Sequence, residues 1–206
     1  MRGLAEGGAS GRGRQQWPEW DATDHQILDA VRELVGQLGP DKLTVDDIAA
    51  RASIARITVF RRFGSKANVI NQAIQREQFQ LLRQFEAATD SIGGVRGCLV
   101  ELFMLTIQSA RTSPIFRRLT VSEPQSLLVE YAGRGNPSPW SFIRAYLAMF
   151  IEARALEEGI ECREPRLVAD ILAHQIVSYA LLPTSVDLDN PPELRHLANV
   201  VVASLV

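Results

Sequence analysis

Residues Thr44–Lys66, TVDDIAARASIARITVFRRFGSK, decide how this chain is read. Thr44 with Asp47 three positions on is a helix-start pattern: the hydroxyl can accept from the amide of the third helical residue, and the carboxylate complements the helix N-terminus. Ile48, Ala49 and Ala52 share one face of the short helix that follows, while Asp46, Asp47 and Arg51 point elsewhere. Ser53 and Ile54 make a turn. A second helix is predicted from Ala55, with Val59 and Phe63 spaced i, i+4 to pack back on Ile48, Ala52 and Ile54. This is a helix-turn-helix, and the outer face of its second helix is basic. Arg51, Arg56, Arg61, Arg62 and Lys66 fall in a stretch with no acidic residue, although the whole chain carries a net charge of -2. Most charge runs are merely solvated faces; one held on an apolar helical frame is a footprint for DNA.

Outward from this stretch the chain is helical in period. Asp24 to Leu38 places Ile27, Ala30, Val31, Leu34 and Leu38 on one stripe and stops at Gly39-Pro40. Ser65 reads as the N-cap of a long helix reaching about Thr89. The polar run Gln75 to Gln78 interrupts its apolar positions, so it is expected to start in one domain and end in another. Helices are further predicted over Val95–Arg111, from Pro114, from Pro124, over about 138–158 and 165–182, and from Pro192 to Val206. With no two-residue alternation of strand length, the fold class is all-α. Residues 1–20, with five glycines and three arginines, are expected to be a flexible arm; residues 21–68 form the DNA-binding domain, and 69–206 a helical regulatory and dimerisation domain.

Composition excludes several classes. An apolar share of 46% and a charged share of 22% are ordinary for a globular protein. A pI of about 6.0 argues against a general polyanion binder while leaving room for one basic patch. No run approaches the roughly 18 apolar residues of a membrane span, and a cytoplasmic location is expected. Cys98 and Cys162 make neither a disulfide framework nor a metal-ligand spacing, so no metal or other cofactor is expected. For catalysis nothing assembles: His25, His174 and His196 are scattered, Glu157 and Glu158 sit at a helix end, and Gly94–Gly97 lacks the Lys-Ser/Thr of a phosphate loop. The chain is read as a non-enzyme.

The stretch ILDAVRELVGQLGPDKLTVDDIAARASIARITVFRRFGSK resembles the N-terminal domain of the TetR family of transcriptional regulators, over about residues 24 to 75. The family pattern has a "TV-DIA" helix, an "S-R-G-T-L-Y-R-H-F" recognition helix and a "G-S-K" opening to the fourth helix. This chain departs from it at Ser53 (usually Gly), Ala55 (usually Ser), Ile57 (usually Gly), Phe60 (usually Tyr) and Arg62 (often His). Ala55 and Phe60 thereby lack a hydroxyl that can reach phosphate, Ile57 offers an apolar surface suited to a thymine methyl, and Arg62 adds a charged donor. The resemblance implies a homodimer, most simply a repressor, on a pseudo-palindromic operator. Arg56, Ile57 and Thr58 are expected at base edges; Thr44, Arg61, Arg62 and Lys66 at phosphates; Phe60 against the sugar-phosphate wall; and Ala55 at the same surface.

It also implies that the last two long helices pair with their copies in a four-helix bundle. Their small rows, Ala145, Ala148 and Ala155 and then Ala169, Ala173 and Ala180, either form that seam or serve packing within the chain. A ligand cavity is expected among Phe103, Phe116, Tyr131, Trp140, Arg144 and Tyr146, residues that would otherwise be plain core. The expected ligand is a small hydrophobic molecule with one polar or anionic end, Phe103 and Trp140 against its body and Arg144 near its head. The competing reading is a helical small-molecule-binding protein whose helix-turn-helix is vestigial or meets a protein partner.

Overall fold

The structure, a computed structural model, describes residues 19–122, 139–160 and 162–206, with the backbone alone described over 139–142. The arm up to residue 18, the helix predicted from Pro124, and Tyr131 lie outside the described residues. Among the described residues every regular element is helical: α1 (Ala22–Leu38), α2 (Val45–Arg51), α3 (Arg56–Phe63), α4 (Lys66–Thr89), α5 (Val95–Thr112), α6 (Pro114–Arg117), a π-turn (Arg118–Ser122), α7 (Pro139–Glu157), α8 (Pro165–Leu181) and α9 (Pro191–Ala203). None is long and apolar enough to cross a membrane.

Local chemistry sets the helix starts. At α2 the Thr44–Asp47 capping box is complete: Thr44 Oγ1 accepts from the Asp47 amide at 3.2 Å and the Thr44 amide donates to Asp47 Oδ2 at 2.9 Å. Asp21 and Asp24 form a second such box, so α1 begins at Ala22, before the expected Asp24. Ser65 caps α4 by accepting from the Asn68 amide at 3.1 Å. α3 begins at Arg56 rather than at Ala55, because Ala55 is its N-cap and has no side chain able to cap. The turn before it holds Ser53 at φ 52°, left-handed backbone that suits glycine.

Two apolar cores result. The first gathers Ile27, Leu28, Val31 and Val35 of α1, Ile48 of α2, Val59 and Phe63 of α3, and Val69, Ile70 and Ala73 of α4. Ile115 and Leu119, from α6 and the π-turn, also enter it. The second gathers Phe85 of α4 with α5, α7, α8 and α9 around Leu99, Phe103, Leu147, Leu172 and Leu194. α4 therefore begins in one core and ends in the other, as its sequence predicts.

The polar run that predicts the crossing is not a solvated interruption. Arg76 and Glu77 are 3% and 6% exposed. Arg76 donates to Asp29 Oδ1 at 2.6 Å and to the His25 carbonyl at 3.2 Å, both on α1. Glu77 Oε2 accepts from Ser113 Oγ at 2.5 Å, and Glu77 Oε1 lies 3.0 Å from Arg32 Nε. The middle of α4 is thus tied to α1 on one side and to the α5–α6 junction on the other. α6 in turn lies so close to α1 that a Cβ at Gly36 would meet Pro114 Cβ at 2.6 Å.

The alanine rows require a correction. Ala148, Ala155, Ala169 and Ala173 are buried inside the chain, in the packing of α7 and α8 on each other and on the second core. Ala145 is exposed and Ala180 half-buried, and the large apolar residues that those helices leave exposed are Met149 and Leu156 on α7 and Leu167 and Ile171 on α8, followed by Leu182 at the α8 C-cap.

Candidate nucleic-acid interface and cavity

α3 shows its outward face through a simple division of labour. Val59 and Phe63 are in the core, while Arg56, Ile57, Phe60 and Arg61 are exposed. Ile57 is 72% exposed, a large apolar side chain at the start of the helix with no core to serve. Thr58, half-buried, is recessed beside it. The Arg56 guanidinium lies 5.4 Å from the Phe60 ring centroid, a cation–π contact that lays both along the same ridge. Exposed Ala55 precedes them.

The basic residues of this surface have acidic partners from neighbouring segments. Arg56 Nη1 donates to Asp46 at 3.1 Å, and Arg51 pairs with Glu33 of α1. Arg62 donates to Asp21 at 2.6 Å and to Asp24 at 2.8 Å, which fastens the end of α3 to the start of α1. That bond, first, holds the Asp21 carboxyl below its usual range, aided by the Asp24 amide. Lys66 Nζ donates to the Asp41 carbonyl at 2.9 Å. Arg61 is exposed and makes no ion pair among the described residues. Thr44 spends its hydroxyl proton on Asp47 Oδ2 at 2.6 Å, and this bond is the largest influence lowering the Asp47 pKa. The local excess of positive charge seen in the sequence is therefore neutralised in part by residues that precede it. Exposed pairs of this kind are worth about 0–1 kcal/mol, so a phosphate can replace the carboxylate at little cost.

A cavity of about 120 Å³ lies in the second half of the chain, bounded by α4, α5, α6, the π-turn, α7 and α8. Of the residues expected to line it, Phe116 does. Phe103 is fully buried core, edge-to-face with Tyr179 at 5.9 Å. Arg144 pairs with Asp170, and the Tyr146 hydroxyl donates to Glu86 at 3.1 Å, both away from the cavity wall. Trp140 stands in the first turn of α7, in the part whose side chains are not described. The wall is aliphatic instead, with Leu81, Leu82, Leu102, Ile143, Leu147 and Ile176 prominent in it. Phe116, Gln78, Thr106 and Thr120 join this largely aliphatic wall, whose Leu, Ile, Val and Ala at ordinary helical spacing carry no mark in a sequence. Among the described residues no cluster of His, Cys, Asp and Glu could hold a metal ion.

Residues 27–73 match the family model for bacterial regulatory proteins of the tetR family. An HTH-type transcriptional regulator of Mycobacterium tuberculosis strain H37Rv is 32% identical over 83 residues, 40% of this chain and 39% of that protein. The match to such curated relatives thus spans well under half their length. Among solved structures, the TetR family repressor AlkX from Dietzia sp. strain DQ12-45-1b, implicated in biodegradation of n-alkanes, is similar at a TM-score of 0.62 and 20% identity. That superposition covers 92% of this chain and 97% of the repressor. The fatty acid degradation regulator FadR from Bacillus halodurans gives 0.62 at 17% identity, covering 91% and 96%. A TetR-family regulator from Streptomyces coelicolor gives 0.63 at 20%, covering 89% and 99%. The fold shared with these structures extends well beyond the N-terminal domain, over 89% to 92% of the chain.

Proposed function

We propose that this chain, whose N-terminal domain belongs to the tetR family of bacterial regulatory proteins, is a homodimeric transcriptional regulator that represses from a pseudo-palindromic operator and is released by a small ligand. One observation carries the DNA reading: α3 presents Arg56, Ile57, Phe60 and Arg61 as an exposed face while Val59 and Phe63 anchor it in the first core. A helix so presented fits the major groove, with Arg56, Ile57 and Thr58 at base edges and Arg61 and Lys66 at phosphates. Phe60 lies against the groove wall. Arg62, already bound to Asp21 and Asp24, serves first to lock α3 onto α1 and reaches a phosphate only by leaving them.

The dimer is assigned to α7 and α8 through their exposed apolar residues, since two recognition helices must be held one helical turn of DNA apart to read two half-sites. Residues 21–68 act as the reading head and 69–206 as the regulatory and dimerising part. Such a regulator works in the cytoplasm, with its DNA. A gel shift with the DNA flanking its own gene, against random DNA of equal length, tests this reading. A discrete complex surviving moderate salt is expected. Equal retention of both DNAs, lost together as salt rises, would leave only non-specific charge attraction and defeat the proposal.

A further inference from the structure

We infer that the cavity between α4, α5, α6, α7 and α8 takes an uncharged, hydrocarbon-like molecule, and excludes carboxylates and ammonium ions. The inference rests on the ligand-responsive reading above for its biological use, but the chemistry is read from the wall alone. Among the described residues no charged side chain lines the cavity. Three polar side chains do, Gln78, Thr106 and Thr120. Both threonine hydroxyls are already spent: Thr106 Oγ1 donates to the Leu102 carbonyl at 2.8 Å and Thr120 Oγ1 to the Phe116 carbonyl at 2.8 Å. Each bond commits the hydroxyl proton to a backbone carbonyl one turn earlier in the chain. Gln78 is a neutral amide with a partner of its own.

Among the described residues a carboxylate placed here meets no cation and an ammonium no anion, and the side-chain donors beside it are the Gln78 amide and two threonine hydroxyls already bonded to backbone carbonyls. Arg144, the head-group anchor expected from the sequence, pairs with Asp170 and is not in the described wall. The size also fits a small apolar body: the cavity is about 120 Å³, and an apolar cavity of roughly 150 Å³ in another protein stays dry and accepts benzene. Two features of the wall extend into the architecture. Gln78 adjoins buried Glu77, and Phe116 lies on α6, the helix in close approach to α1, so a molecule in this cavity presses on the elements that carry the reading head.

The test uses three shape-matched probes on the full chain: toluene, benzoate and benzylammonium. Binding is followed by ligand-observed NMR and by thermal stabilisation at equal millimolar concentrations. Toluene is expected to bind at least about tenfold more tightly than either ion, because only the ions lose hydration without compensation. Thr106→Val, which keeps the shape and removes the hydroxyl, is expected to leave toluene binding within about twofold, since that hydroxyl faces its own helix. Ala173→Leu, which narrows the cavity, is expected to weaken toluene. If Ala173→Leu fails to fold, the Thr106→Val result and the probe order still decide. Benzoate or benzylammonium binding as tightly as toluene, a large loss in Thr106→Val, or no binding by any probe would overturn the inference. Operator affinity, measured separately, tests the other premise: toluene bound with operator affinity unchanged would defeat the switch while leaving the ligand class standing.

Discussion

Ser53 and Ala55 show at single-residue scale what this chain gave up relative to the family pattern. Ser53 holds φ 52° where the pattern has glycine, and Ala55 is an N-cap with no capping oxygen where the pattern has serine. A non-glycine residue in left-handed backbone costs on the order of 1 kcal/mol, and a missing N-cap side chain typically about 1 kcal/mol. Ser53→Gly and Ala55→Ser are therefore each expected to stabilise the chain by about 0.5–1 kcal/mol in chemical denaturation, and Ala55→Ser also adds a hydroxyl to the surface proposed to meet DNA. A destabilised Ala55→Ser would mean the α3 start is held by something other than its cap.

Arg56 is judged by what it loses. If it reads a guanine edge, Arg56→Ala costs about 1–3 kcal/mol and relaxes preference at one base pair per half-site. An equal loss on every sequence, measured by competition binding, would assign it to phosphate instead. Two carboxylates at the surface add to the acid sensitivity of the fold. Asp21 and Asp47 have lowered pKa values in the folded chain, through Arg62 and Thr44 respectively. Their stabilisation is complete above the unfolded value, near 3.9, and is lost as pH falls through the lowered folded values. Asp47→Asn is thus expected to flatten the acid side of the stability profile. An acid limb of unchanged steepness in that variant would remove Asp47 from the account.

At the scale of elements, the described helices were legible in the sequence because they carry apolar stripes bounded by caps or prolines, and the observed ends differ by up to three residues. What could not be read was which partner each face meets. Alanines at helical spacing fit a seam between subunits and a seam within a chain equally well, and Ala148 and Ala173 belong to the second kind. Arg76 and Glu77 appear in the sequence only as part of a polar run, and their burial had no mark there because their partners Asp29, Arg32 and Ser113 lie far away in sequence. Gly36 gave no signal either, since only the arrival of Pro114 makes its missing side chain matter. For the proposed dimer, the subunit contact is expected at the exposed apolar residues of α7 and α8. Ile171→Glu is expected to dissociate the dimer in sedimentation while keeping helical content, because a carboxylate in an apolar seam costs several kcal/mol. Ala173→Glu strikes the core and is expected to unfold the chain. A dimeric Ile171→Glu would move the seam elsewhere.

On the scale of the whole molecule, the issue is how two cores joined along α4 behave as one object. Glu77 is the centre of that joint: it meets Arg32 of α1 and Ser113 at the start of α6, and lies next to Gln78 of the cavity wall. Replacing a buried carboxylate by its amide leaves Arg32 without its counter-charge, but Arg32 is 38% exposed and water can take over part of the role. The effect is therefore expected to fall more on orientation than on folding. In a dimer that spans two half-sites, looser heads lose the advantage of arriving together, whereas a single half-site asks nothing of their spacing. Glu77→Gln is accordingly expected to weaken binding to the full operator by about 0.5–2 kcal/mol and to leave binding to a half-site duplex unchanged. Any ligand in the cavity should lose a matching share of its influence on the operator, since coupling between sites is reciprocal. Fluorescence anisotropy on the two duplexes decides the matter: equal losses on both would show that Glu77 supports only the fold of the reading head, and no loss on either would show that the heads are held by the apolar contact of α1 with α6 alone.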